Sequence, residues 1–285
     1  MSVSSRTAVV GLLGYPVVHS FSPYMHNAAF RALGMDWVYL AFNVEPRLLP
    51  AAVSGIRALG FRGVNVTIPH KQAILPFLDE IDPLAKLIGA VNTVVVKEGK
   101  LVGYNTDASG FWRSLKEEGV DPRGKRALIL GAGGAARAVA YALVKHGCNR
   151  LYIANRTYDR ARELAETLKK AGETSVEPLS LEEAFLASIL PEADLIINTT
   201  SVGMETVGGE LPITADKLEA RHIIYDLVYN PPYTKLLKMA SSKGCRAISG
   251  RSMLLYQGAE AFTLWTGREA PLEVMKQVVE ELLPS

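Results

Sequence analysis

Cysteine is nearly absent from this chain: Cys148 and Cys245 are the two present in 285 residues. Two cysteines cannot build a disulfide framework, and these fall in no metal-ligand spacing. A reducing cytoplasm is the expected compartment. Histidine is also sparse, and His19 and His26 have no third ligand nearby, so no metal site is expected. No apolar run approaches the ~20 residues that a membrane span needs. The N-terminus lacks a charged segment followed by an apolar one, so no signal peptide is expected. A strong charge bias is missing too. Thirty-one basic residues against 29 acidic ones leave a net charge of +2. That is too little to imply nucleic acid or an anionic membrane as partner. Repeats and low-complexity tracts are absent. What remains is globular, 48% hydrophobic and 21% charged, and long enough for two cores.

The apolar pattern alternates between strand and helix. Thr7 to Leu13, Trp37 to Phe42 and Gly63 to Thr67 read as strands, with helices over Tyr24 to Leu33 and Pro46 to Leu59. Thr93 to Lys97 and Leu101 to Tyr104 flank a hairpin-like turn at Glu98-Gly99-Lys100. Such alternation implies an α/β sheet covered on both faces. The polar stretch Gly119 to Gly124, which contains Pro122, reads as a domain crossing. The pattern then restarts as a mononucleotide-binding βαβ series: strand Arg126 to Leu130, helix Ala135 to His146, strand Arg150 to Ala154, helix Tyr158 to Lys170. Strands Asp194 to Thr199 and His222 to Asp226 follow, and the tail carries helical patterns over Ser252 to Trp265 and Pro271 to Leu283.

Several runs bring polar groups to strand ends. In Gly14 to Asn27, Ser20 and Ser22 sit between a strand end and a helix start. Two hydroxyls and free N–H groups there suit a small carboxylate, although Ser22 before Pro23 also fits an ordinary helix cap. Gly63 to Lys71 ends a strand at Thr67 and starts a helix at Pro69. Lys71 thus lies at the carboxyl end of a strand, where open α/β sheets hold ligands. A lysine there can protonate a developing alkoxide or, once neutral, take a proton from an alcohol; alone, it fits a solvated surface lysine as well. Asn92 offers a donor and an acceptor. Asp107 can pair with Lys71 or accept from a substrate hydroxyl. Each has a turn or capping reading in isolation. Together they suit a small polyhydroxylated acid.

Leu128 to Arg137 carries Gly131-Ala132-Gly133-Gly134-Ala135 after a strand and before a helix. That context fits a dinucleotide pyrophosphate on a helix N-terminus, with Ala136 where a third glycine often stands. At the tip of the next strand, an NAD site would place an acid. Here Asn155-Arg156-Thr157 stands there, with Arg160 one turn on. Two guanidinium groups and a hydroxyl suit a ribose 2′-phosphate, so NADP is expected. Thr199, in Asn198 to Gly203, ends a later strand and reads as a cofactor-lining residue or a plain polar loop.

Taken in order, these runs resemble the shikimate dehydrogenase family over nearly the whole chain. They comprise Gly14 to Asn27, Asn65 to Lys71, Gly89 to Thr93, Asn105 to Asp107, Gly131 to Ala135, Asn155 to Ala161, Asn198 to Met204, Tyr229 to Pro231 and Gly250 to Gln257. The resemblance implies NADP-dependent interconversion of 3-dehydroshikimate and shikimate in aromatic amino-acid biosynthesis. It implies Ser20, Ser22 and Tyr229 on the substrate carboxylate, and Thr67, Asn92, Asp107 and Gln257 on ring hydroxyls. Lys71 would be the acid/base, assisted by Asp107. Leu227, Gly250 and Met253 would lie along the nicotinamide. It also returns the tail to the first domain. The expected organisation is an open, mostly parallel α/β substrate domain (1–107 plus 245–285) and a Rossmann-type NADP-binding domain (108–244), separated by a cleft, in a monomer or homodimer. Two other readings stay open: a quinate/shikimate dehydrogenase with broader substrate and cofactor use, and a non-catalytic metabolite sensor on the same fold.

Overall fold

The computed structural model describes residues 3–204 and 207–283. The chain divides into two compact units, Met1–Gly110 with Leu255–Pro284, and Phe111–Leu254.

The first unit runs β1 (Ala8–Gly14), α1 (Ser22–Ala32), β2 (Trp37–Asn43), α2 (Leu49–Ala58), β3 (Gly63–Val66), α3 (His70–Ala73), β4 (Glu80–Ile81), α4 (Pro83–Ile88), β5 (Thr93–Lys97), β6 (Lys100–Tyr104) and the start of α5 (Asp107–Glu117). Its sheet has the order β2-β1-β3-β5-β6-β4. β2, β1 and β3 are mutually parallel, β5 and β6 form an antiparallel hairpin against β3, and β4 runs parallel to β6. The hairpin turn is Glu98-Gly99, both at positive φ (51° and 79°), the backbone that a two-residue turn between twisted strands demands. The expected N-cap at Ser22 needs correction. Phe21 occupies the N-cap position with no side-chain cap, and Ser22 opens the helix itself. Its N–H donates to the Ser20 hydroxyl at 3.3 Å, so Ser20 does the capping work expected of Ser22.

The second unit runs through β7 (Arg126–Leu130), α6 (Gly134–Lys145), β8 (Arg150–Asn155), α7 (Tyr158–Leu168), β9 (Ser175–Ser180), α8 (Glu183–Ile189), β10 (Leu195–Asn198), β11 (Ile223–Asp226), α9 (Lys235–Ser242) and β12 (Arg246–Ser249). α10 (Arg251–Thr266) and α11 (Leu272–Leu282) close the chain. The sheet is parallel throughout, in the order β12-β11-β10-β7-β8-β9. This is a doubly wound order with its switch point between β7 and β10, and ligands bind outside the carboxyl ends of strands at such a point. Leu128, Leu130, Tyr152, Ile196 and Ile224 pack with Leu186, Leu236 and Leu237 into its core.

The expected boundaries at 107/108 and 244/245 also need correction. The second lies too early because β12 pairs in parallel with β11, which keeps residues up to Leu254 in the second sheet's unit. The first crossing falls after Gly110, inside α5, rather than in the Gly119 to Gly124 loop.

In the first unit, His26 on α1 is fully buried. Its ring stacks on Tyr39 at 4.5 Å and lies 5.3 Å from Trp265. Neither ring nitrogen has a hydrogen-bond partner, and burial pushes its pKa down to about 3. The folded chain therefore keeps His26 neutral while the unfolded chain gains a proton below the usual 6.5. The stability this supplies is complete above that value and is lost as pH falls toward 3. On lowering pH from 7 to 5, His26→Phe should lose about 2 kcal/mol less unfolding free energy than wild type in urea titrations. Equal losses would contradict a buried neutral imidazole.

Candidate functional site

The carboxyl ends of β1 and β3, the start of α5 and the part of α10 from Leu255 onward gather the polar residues of the first unit. Thr67 lies just past β3, its N–H donating to the Leu13 carbonyl at 2.9 Å. The Gly14 turn lies directly against it, for a Cβ on Gly14 would overlap the Thr67 methyl. Ser20 and Ser22 follow from that turn. α1 then meets α10 where Met25 fills the space that a Gly258 side chain would need, one residue past Gln257. Gly110 is likewise required for α5 to approach Gln257, since its Cβ would stand 2.8 Å from the Gln257 backbone nitrogen.

At the centre, Lys71 Nζ donates to Asp107 Oδ2 at 2.6 Å. The two side chains are 13% and 5% exposed. This is a charge-assisted hydrogen bond largely shielded from water. The Lys71 backbone is anchored as well, its carbonyl accepting from Val91 N–H at 2.8 Å. Asp107 Oδ1 accepts from Asn92 Nδ2 at 3.0 Å, so both carboxylate oxygens are held. The same Asn92 nitrogen lies 2.9 Å from Thr106 Oγ1 and 3.3 Å from Gln257 Oε1, while Asn92 Oδ1 accepts from Thr106 N–H at 2.7 Å. Below this layer, Asn65 donates to the Asn92 carbonyl and to Thr93 Oγ1, both at 3.1 Å, and accepts from the Tyr39 hydroxyl at 2.8 Å. Asn105 Oδ1 caps the first turn of α5 by accepting from Asp107 and Ala108 N–H at 3.1 and 3.2 Å. Asn65, Asn92, Thr93, Asn105, Thr106 and Asp107 are buried, while Ser20, Thr67, Lys71 and Gln257 are half-buried. A buried, fully paired polar floor thus carries a rim of accessible hydroxyl, amide and ammonium groups. Such a surface can hold a small hydroxylated acid and pass a proton at Nζ.

The structure brings Lys71, Asn92, Asp107 and Gln257 into direct contact and puts Thr67 at the adjoining turn. Tyr229 lies in the second unit, after β11. Residue-by-residue reading gives no site role to Asn65, Thr93, Asn105 or Thr106. Their signal is a polar side chain inside or at the end of an otherwise apolar strand, where it must find a partner.

In the second unit, Gly131 follows β7 with φ 113°, and a Cβ there would come within 2.6 Å of Thr199 Oγ1. Only glycine fits that position. Ala132 is buried, Gly133 is exposed with open space around its Cα, and Gly134 and Ala135 open α6. Thr199 is buried beside the loop, its hydroxyl donating to the Leu130 carbonyl at 2.7 Å. At the tip of β8, Asn155 donates to the Thr157 carbonyl at 2.8 Å, and Arg156, Thr157 and Arg160 are exposed. The nearby Asp159 pairs with Arg162 at 3.1 Å, which ties up its charge. A bare glycine turn at a helix N-terminus and two exposed guanidinium groups fit a dinucleotide that carries an extra phosphate. Gly250 packs on the Leu227 carbonyl so closely that a Cβ would overlap it, and Met253, in the first turn of α10, is buried. Among the described residues no cluster of three or more His, Cys, Asp or Glu side chains could hold a metal ion.

Three family models match: the shikimate dehydrogenase substrate binding domain over residues 12–94, shikimate/quinate 5-dehydrogenase over 114–226, and the shikimate 5′-dehydrogenase C-terminal domain over 250–280. Shikimate dehydrogenase (NADP(+)) of Moorella thermoacetica is 57% identical over 99% of this chain and 96% of its own. The chain belongs to the shikimate dehydrogenase family. A shikimate dehydrogenase solved in complex with NADP+ superposes with a TM-score of 0.89 at 44% identity, covering 100% of this chain and 98% of the other. The Thermus thermophilus enzyme, solved with NADP(H) and shikimate, gives 0.84 at 40% identity over 97% of this chain and 100% of its own.

Asn92→Ala leaves the buried Thr106 N–H and Asp107 Oδ1 without their amide partner. Urea unfolding should then show a loss of about 2 kcal/mol. An unchanged midpoint and slope would show that the buried network is not coupled to stability.

Proposed function

We propose that this chain catalyses the reversible NADPH-dependent reduction of 3-dehydroshikimate to shikimate, a step of aromatic amino-acid biosynthesis. The observation that carries the reading is the shielded 2.6 Å contact between Lys71 and Asp107, set on a floor of paired amides and hydroxyls. NADPH, when bound, supplies the hydride. In the direction of reduction, the Lys71 ammonium protonates the oxygen of the former ketone; in reverse, the neutral amine takes the proton back. Asp107 orients Nζ and gains its own fixed position from Asn92. Thr67, Asn92, Asp107 and Gln257 bind ring hydroxyls. Ser20 and Ser22 bind the carboxylate, where the first-turn N–H groups of α1 favour an anion. Gly131 to Ala135 cradle the pyrophosphate, and Arg156 and Arg160 pair with the 2′-phosphate. Each chain holds its own Lys71–Asp107 pair, so a monomer suffices and a homodimer is compatible. Two free, buried cysteines suit a reducing cytoplasm.

The direct test is NADPH consumption with 3-dehydroshikimate, repeated with NADH and with Lys71→Ala. Turnover with NADPH well above that with NADH is expected. Lys71→Ala should lower kcat by about 10²–10⁴-fold with a modest change in substrate binding. No turnover by the wild type, or unchanged turnover in the variant, would overturn the assignment.

A further inference from the structure

The second unit contains a buried carboxylate that the chemistry proposed above does not use. Asp226 ends β11 with no solvent exposure. Its three partners are neutral donors. Oδ1 accepts from Asn198 Nδ2 at 2.8 Å and from Val228 N–H at 3.0 Å, and Oδ2 accepts from the Thr234 hydroxyl at 2.6 Å. Burial pushes the Asp226 pKa up to about 6 against the pull of those donors. An apolar or amide side chain would end this strand at less cost in desolvation. The carboxylate instead ties parts of the chain together.

It holds three segments at once. Val228 lies between Leu227 and Tyr229, so the bond to its N–H fixes the backbone as it leaves β11. Leu227 N–H donates to the Asn198 carbonyl at 2.9 Å, and the Leu227 carbonyl lies against Gly250. Asn198 in turn binds the loop after β10: its Oδ1 accepts from Thr200 N–H and Oγ1 at 3.0 and 2.7 Å, and its Nδ2 donates to the Val202 carbonyl at 3.0 Å. Thr234 caps α9 through Leu237 N–H at 3.2 Å. All three segments leave the carboxyl ends of β10 and β11. The exposed arginines follow β8, on the opposite side of β7 and its glycine turn. In a doubly wound sheet the two halves of a dinucleotide lie on either side of the switch point. The half without the extra phosphate therefore falls over β10 and β11.

We infer that Asp226, through Asn198, Val228 N–H and Thr234, is a positioning residue that fixes the Leu227–Tyr229 backbone for the nicotinamide half of the cofactor. The inference rests on the dehydrogenase reading above. Asp226 touches no reacting atom; it acts through the backbone beside it.

Asp226→Asn keeps the shape and replaces one acceptor by a donor. Thr234→Val removes the hydroxyl, and Thr234→Ser keeps it, so the pair remains informative if the first variant folds poorly. Affinities for NADPH and for adenosine 2′,5′-bisphosphate, which occupies the arginine end alone, are measured beside kcat, KM and the melting temperature. In Asp226→Asn and Thr234→Val, bisphosphate affinity should stay within about twofold of wild type. NADPH should lose about tenfold of its advantage over the bisphosphate, kcat should fall about 10- to 100-fold, and Thr234→Ser should restore both. Parallel loss of both affinities would overturn the inference in favour of a scaffold role. Unchanged affinity ratios and kcat in variants of an active wild type would overturn it alone. A wild type that binds neither molecule would overturn the dehydrogenase reading and this inference with it.

Discussion

One charge pair organises the first unit. A carboxylate can be kept this far from water only when its remaining lone pairs find partners beside the ammonium it pairs with. Asp107 meets that condition through neutral groups, while the half-buried Lys71 ammonium keeps access to the rim. Asn92 takes one carboxylate oxygen, Asn105 takes the N–H of Asp107, and Val91 anchors the lysine backbone. Asn92 is itself over-determined by Thr106 and, through its carbonyl, by Asn65. The result is an amine held by a fixed carboxylate and an anchored backbone rather than left as a free surface rotamer. Preorganisation of that kind is what proton transfer at a fixed oxygen requires.

The same constraint governs the second unit. A parallel sheet buries both faces of its inner strands, so charged and amide side chains on β7, β8, β10 and β11 stand only at strand ends. The ends of β7, β8, β10 and β11 carry Gly131, Asn155, Asn198 and Asp226. Each serves either the passage of the backbone or the loops that follow it. Gly131 is chosen by its left-handed backbone and by Thr199 beside it, and Asp226 by the three segments it joins.

Much of this is legible in the sequence because its signals are local. An apolar run into a glycine turn and a helix identifies β7 and α6 without knowledge of any distant residue. Glu98-Gly99 marks its hairpin in the same way. The ordered family motifs bring Lys71, Asn92, Asp107 and Gln257 together on paper. Their contacts depend on β3, β5 and β6 being neighbours, which no local pattern specifies. Ser22 reads as a cap from its neighbours, but Ser20, two residues earlier, competes for that role and wins. β9 escapes a pattern reading because Pro178 interrupts it, a tolerable fault only on an edge strand. The unit boundaries are hidden because they fall inside α5 and α10, with no loop to mark them. Asp226 looks like the unremarked last residue of a strand, since its meaning lies in Asn198 and Thr234, which the chain brings back from both sides.

Proton transfer here depends on the place of one amine relative to one oxygen. A crystal structure with shikimate and NADP+ bound tests it most directly. It should place Lys71 Nζ within hydrogen-bond distance of the hydroxyl at the carbon that exchanges hydride, with Asp107 still holding the amine. An ordered ternary complex with that hydroxyl bound to another group, and Nζ turned to solvent, would contradict it.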